Sequence, residues 1–272
     1  MCELFAMSSR IPTSVRVSLE EFSRRGGLAG PHKDGWGLAY YVEKDVRLLK
    51  ETQPASDSAC VRFIQDHPFT SDVVVSHIRR ATQGTHTLRN CQPFQRELGG
   101  AMHVFAHNGD LDMGRLRREL ALGWHRPVGE SDSEHAFCAL LERLRGPWLE
   151  HGGVPPLEER LAVVARFATV LRALGPANFL YADGDALFAH GHRRRHGELG
   201  IRPPGLHWLC RSCAGDAEAL RTEGLSIEAS AARQEVALFA SVPLTPEPGW
   251  RPFAEGELAV ARAGRVVARV LA

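Results

Sequence analysis

Apolar and polar positions follow one another along this chain in two rhythms. Alternation with a period near two, or a short unbroken apolar run, predicts strands at residues 2–9, 36–42, 46–51, 72–78 and 101–109. The same signal returns at 177–190 around a turn at Asp183-Gly184, then at 205–211, 235–244 and across a closing hairpin at 256–271. The run "DVVVSHI" is apolar almost throughout, which suits a strand covered on both faces. The strand "AMHVFAHNG" is expected to break at Asn108-Gly109, a pair that favours a positive-φ turn. A 3.6-residue rhythm predicts helices at 18–26, 58–66, 130–146 and 156–174. Ser18 with Glu21, and Ser131 with Glu134, read as capping boxes, while Gly26-Gly27 and Gly175 mark helix ends.

Strands thus bracket a helical middle and are joined mostly by hairpins, so an α+β fold is expected in place of repeated βαβ units. No internal repeat, low-complexity tract or long linker interrupts the pattern, and residues 1–272 are expected to form a single domain. The composition, 44% hydrophobic and 24% charged, is that of a chain that can bury a core without staples. Lys+Arg at 33 against Asp+Glu at 32 leaves a net charge of +1, so no global field points to nucleic acid or an anionic membrane. Neither a signal peptide nor an apolar run of membrane-spanning length is apparent, and six scattered cysteines do not read as a disulfide framework, which together predict a cytoplasmic protein.

Four separated segments place reactive or polar residues at the ends of predicted elements. Cys2 follows Met1, so loss of the methionine would leave one residue carrying both a thiol and a free α-amine; an early strand residue is the plainer reading. Arg79 ends the "DVVVSHI" strand as either a solvated terminus or a fork-shaped carboxylate receptor. Asn108 and Gly109 make either a simple turn or a pair of donors aimed at one point. Asp132, in a helix first turn, is explained equally well by the helix dipole.

Read together, "MCEL", "GPHKDGWG" at 30–37, "HIR", "AHNG" and "SDSE" resemble the glutaminase domain of class II glutamine amidotransferases, members of the N-terminal nucleophile hydrolase superfamily. The likeness is greatest to their small stand-alone bacterial branch, and covers residues 1–145 and, more loosely, the remainder. It implies a four-layer αββα sandwich with two antiparallel sheets. It further implies that Cys2, freed of Met1, is the nucleophile and that its own α-amine is the general base, a role suited to a pKa near about 7.7–8.0. With Met1 retained, the nitrogen of Cys2 is an amide and that base is missing. The thiolate would attack the side-chain amide of glutamine, release ammonia, and leave a γ-glutamyl thioester for water to hydrolyse.

By the same resemblance Arg79 binds the substrate α-carboxylate and Asp132 its α-ammonium, while Asn108 and Gly109 form the oxyanion hole. Thr82 lines the pocket, and Trp36 and Gly37 form its floor, although Trp36 reads equally as core. No cofactor is implied. The expected partner is glutamine or another γ-glutamyl small molecule, with a separate synthase subunit as the candidate receiver of ammonia; a catalytically silent binding subunit is the contrasting reading. Three departures border the expected pocket: Arg80 where Trp is common, Gln83 where His is frequent, and Gln92 within "NCQP" where His is usual. They put strict glutamine specificity in doubt. Cys210 and Cys213, with His207, His190, His192 and His196 nearby, read as reduced cysteines and loop histidines and not as a zinc set, so no metal is expected.

Overall fold

A computed structural model of the protein describes residues 2–17, 33–67, 69–80, 85–214, 220–221, 225–228, 233–245 and 248–272. The first half contains β1 (Glu3–Val17), β2 (Trp36–Val42), β3 (Asp45–Glu51), α1 (Ala59–Asp66), β4 (Phe69–Ile78), β5 (Phe94–Leu98), β6 (Ala101–Gly109) and α2 (Met113–Glu119). Next come α3 (Asp132–His151), α4 (Leu157–Leu174), β7 (Ala177–Ala182), β8 (Leu187–Gly191), and the short pair β9 (Arg194–Arg195) and β10 (Ile201–Arg202). The chain closes with β11 (His207–Ala214), the short β12 (Leu220–Arg221) and β13 (Leu225–Glu228), β14 (Arg233–Ala240), the short β15 (Arg251–Pro252), β16 (Glu257–Arg262) and β17 (Arg265–Leu271).

These strands form two antiparallel sheets. One runs β15-β11-β14-β1-β4-β2-β3, with β13 also pairing with β1; the other runs β17-β16-β8-β7-β6-β5. Pleating turns successive side chains to opposite faces, and it distributes each strand between two cores. Leu4 and Ala6 of β1 and Val73 and Val75 of β4 meet Val104 and Ala106 of β6 between the sheets. The intervening Met7 and Val74 pack instead beneath Val61 and Ile64 of α1. On the outer side of the second sheet, Phe105, Phe179 and Phe188 are covered by Phe137, Leu140 and Phe167 of α3 and α4. The result is the four-layer αββα sandwich expected from the sequence.

Local chemistry explains the boundaries. Ser58 caps α1 by accepting from the Val61 N–H at 2.9 Å, and Ser131 caps α3 by accepting from the Glu134 N–H at 3.2 Å. Glu134 does not complete the expected reciprocal box; its carboxylate accepts from the Gly129 N–H and pairs with Arg96. Helix α3 also runs past residue 146, through Pro147, to an end at Gly152 with φ 62°. Proline gives up one helical hydrogen bond, but Trp148 just after it is buried against the ring of His103.

Asn108-Gly109 is not a turn. Both residues stay in β6, paired with Asn178 and Ala177, and neither has a positive φ. Gly109 is required for closeness: a Cβ there would lie 1.8 Å from the Pro176 carbonyl oxygen. Strand β5 and helix α2 also lie outside the sequence expectations, and the helix expected at 18–26 lies outside the described residues. Arg160 of α4 is buried and ties itself to Asp183 at 2.7 Å and Asp185 at 2.6 Å, pinning the β7–β8 turn. Cys2, Cys60, Cys91, Cys138 and Cys210 are free thiols. No helix among the described residues is long and apolar enough to cross a membrane.

Candidate active site

The site forms where β1, β4, β6 and the start of α3 converge. Cys2, just before β1, approaches the segment that leaves β4: its Sγ accepts from the Arg80 N–H at 3.2 Å and donates to the Arg80 carbonyl at 3.3 Å. Cys2, Arg79, Arg80, Gln92, Gly109 and Asp132 line one small cleft, which Asn90, His107, Ser131 and Ser133 complete. Burial pushes the Cys2 thiol up, outweighing the opposing pull of the Arg80 N–H and the Arg79 charge.

Two opposite charges flank that thiol. Arg79 is buried at 4% exposure, its guanidinium donating to the carbonyl oxygens of Asp34 at 3.4 Å and Thr85 at 3.3 Å. Asp132 is buried at 6% exposure in the first turn of α3. One of its oxygens accepts from the Leu111 N–H at 2.9 Å, the other from the Ser133 N–H at 2.8 Å and the Ser133 hydroxyl at 3.2 Å. The Asp132 side chain thus borders the cleft at the N-terminus of α3, held by these three donors.

His107 and Ser133 were not singled out from the sequence. The His107 ring nitrogen Nδ1 lies 2.9 Å from the Ser133 hydroxyl, and burial holds this imidazole below its ordinary pKa despite the nearby Asp132 charge. Their only sequence signal is adjacency, since His107 precedes Asn108 and Ser133 follows Asp132.

The remaining expected residues divide. The Asn108 amide Nδ2 donates to the main-chain oxygen of Cys2 at 2.5 Å and reaches toward the Ser241 hydroxyl at 3.5 Å. Asn108 therefore braces the backbone of Cys2 in this structure. Trp36 does not line the cleft. By strand alternation it faces the α1 side with Met7 and Leu38, its indole N–H donating to Glu51 at 3.1 Å. Gly37 is absent from the lining too, but a Cβ there would sit 2.2 Å from the Gln92 carbonyl oxygen, so this glycine lets Gln92 approach. Thr82 and Gln83 lie outside the described residues. Gln92 does border the cleft, yet its carboxamide is occupied: it accepts from the His107 N–H at 2.6 Å and donates to the His107 carbonyl at 3.2 Å. This departure braces β6 beside Asn108. Among the described residues, no three His, Cys, Asp or Glu side chains converge as metal ligands.

Comparison with known proteins gives the family of the chain. A family model described as "Glutamine amidotransferases class-II" matches residues 1–271. The YafJ protein of Escherichia coli (strain K12) is 36% identical over 260 residues, which is 94% of this chain and 96% of YafJ. A relative from Haemophilus influenzae is 30% identical, covering 100% of this chain and 87% of its own length. The crystal structure of a "predicted glutamine amidotransferase from Pseudomonas aeruginosa PA01" superposes with a TM-score of 0.74 at 33% identity, covering 98% of this chain and 100% of that one. The glutamine phosphoribosylpyrophosphate amidotransferase of Bacillus subtilis shares the fold at a TM-score of 0.56 and 13% identity, over 96% of this chain and 47% of its own.

Proposed function

The chain belongs to the class-II glutamine amidotransferases, and on that premise we propose that it hydrolyses the side-chain amide of glutamine to glutamate and ammonia through a γ-glutamyl thioester on Cys2. One observation carries this reading: the Cys2 thiol shares a single small cleft with a buried arginine and a buried aspartate. Arg79 takes the substrate α-carboxylate as a planar donor, and Asp132 takes the α-ammonium. On this reading the γ-amide carbon lies at the sulfur.

With Met1 removed, the α-amine of Cys2 accepts the thiol proton that burial otherwise retains, and the sulfur adds to the amide carbonyl. The Gly109 N–H and the Asn108 amide stabilise the resulting oxyanion, Asn108 using the N–H that reaches only weakly toward Ser241. The C–N bond breaks, the proton passes to the departing nitrogen, and water hydrolyses the thioester. Ammonia either leaves or passes to a synthase subunit docked on this chain.

The test is glutamate and ammonia release from glutamine by protein whose N-terminus is verified as Cys2. Turnover by the native chain and none by Cys2→Ala is expected. Undiminished turnover by Cys2→Ala would overturn the mechanism.

A further inference from the structure

The connection that follows β8 reaches back to the cleft through one buried side chain. Asn178 of β7 is fully buried, opposite Asn108 of β6. Its Nδ2 donates to the Asn108 carbonyl at 2.9 Å and to the Arg193 carbonyl at 2.7 Å, while its Oδ1 accepts from the His192 N–H at 2.8 Å. Both amide hydrogens are thus used, and the carboxamide cannot turn over without stranding buried main-chain groups. Gly205 makes the room: a Cβ there would lie 1.6 Å from Oδ1 of Asn178. The next residue of the connection, Arg194, donates to the Ser241 carbonyl at 2.6 Å, and the Ser241 hydroxyl accepts from the Leu4 N–H at 2.9 Å. The short segment 192–194 therefore ties β6 to the strand that begins beside Cys2.

The bond to Asn108 falls on a particular peptide. In an extended strand the N–H and C=O of one residue point to one side, and those of the next residue to the other. Both main-chain groups of His107 face the Gln92 carboxamide, so the Asn108 carbonyl faces β7 and the Gly109 N–H turns back to the side of Gln92 and the cleft. The Asn108-Gly109 peptide is trans, which sets its C=O and N–H antiparallel. A donor on this carbonyl fixes the direction of the Gly109 N–H, and it polarises the peptide so that this N–H donates more strongly.

Resting on the proposed amide hydrolysis, we infer that Asn178 is a positioning residue for that reaction, its carboxamide aiming and strengthening the Gly109 N–H at the oxygen of the tetrahedral intermediate. Asn178 is itself no part of the cleft lining. Its influence enters when Cys2 Sγ bonds to the γ-carbonyl carbon and negative charge gathers on the oxygen, and again when water attacks the thioester. Substrate binding by Arg79 and Asp132 does not draw on it. Nor does a displacement at the sulfur that develops no oxyanion.

The experiment compares the native chain, Asn178→Leu and Asn178→Ala, each with a verified Cys2 N-terminus. It measures kcat for glutamine, glutamate affinity by calorimetry, and the rate of iodoacetamide alkylation at Cys2 by peptide mass. Leucine keeps the branched shape and excludes water, whereas alanine leaves space for a water that can donate to the Asn108 carbonyl in its place. Asn178→Leu should lower kcat by about ten- to a hundredfold, less than the cost of deleting an oxyanion donor outright, with glutamate affinity and alkylation within about threefold of native. Asn178→Ala should lose less. An unchanged kcat in Asn178→Leu overturns this inference, as does a fall of alkylation and glutamate affinity in step with kcat, because a merely structural role lowers all of them together. Both outcomes leave glutamine hydrolysis standing. No turnover by a native chain whose Cys2 still alkylates overturns the amide-hydrolase reading, and this inference with it.

Discussion

Gly109→Ala is the substitution that most directly joins the fold to the chemistry. The added Cβ would lie 1.8 Å from the Pro176 carbonyl oxygen and 2.5 Å from Nε2 of His107. Real Cβ contacts stay beyond 3.0 Å, so a gap of about 1 Å must open, and the nearest obstacle is main chain that cannot rotate aside. Overpacking of this kind costs about 1–3 kcal/mol. The same displacement moves the Gly109 N–H away from where the oxyanion would form, and an error of about 1 Å in positioning can cost on the order of 10²-fold in rate. Urea unfolding should show a lower midpoint at unchanged slope, and ammonia release at saturating glutamine should fall by about two orders of magnitude. A variant that unfolds at the native midpoint and keeps kcat within a factor of about three would refute the reasoning. Lost stability without lost rate would show that the strands yield away from the site, and would refute the coupling between them.

Three further outcomes follow from the packing. Gln92→Leu strands the buried His107 peptide, which now exchanges two hydrogen bonds with the carboxamide; unfolding stability should drop by about 2 kcal/mol or more, with kcat falling because β6 carries Asn108 and Gly109. Arg160→Met leaves Asp183 fully buried without its cation, and chemical denaturation should report a loss of about 3–5 kcal/mol. His103 and His190 are buried as neutral rings, with pKa values pushed down to about 4 and about 3 by desolvation. Below pH ~6.5 the unfolded chain takes up protons that the folded chain refuses, so stability should fall by about 1.4 kcal/mol per pH unit for each ring. For His103 the loss ends near pH 4. A urea midpoint flat between pH 6.5 and 5 would contradict that burial.

The α+β class and the main strands were legible because their signals are local, whereas the four-layer order came only from the family resemblance; which core each side chain enters is settled by the strand pairing. The expectations that failed turn on contacts distant in sequence. Asn108-Gly109 carries the composition of a turn, yet Pro176, far along the chain, makes Gly109 a strand residue. The helix expected to end at residue 146 runs on through Pro147, and Trp148 finds its place against His103. Trp36 falls on the α1 side of its strand because β2 is registered against β4 at Ile78, a pairing that no local pattern reveals. In the site, periodicity says nothing of Cys2, Arg79 and Asp132; the resemblance to a family singles them out, and the fold brings the three to one cleft. Gln92 was noticed as a departure, but only its two bonds to His107 reveal a brace in place of a ligand contact.

The central claim is that Cys2, exposed as the N-terminal residue, carries the acyl group. Rapid acid quenching during steady-state turnover, followed by intact-mass analysis and peptide mapping, tests it directly. The account predicts a chain without Met1 that gains one γ-glutamyl group on the Cys2 peptide during turnover, and no such gain in Cys2→Ala. Turnover with Met1 retained, or with the adduct on any other residue, would contradict it.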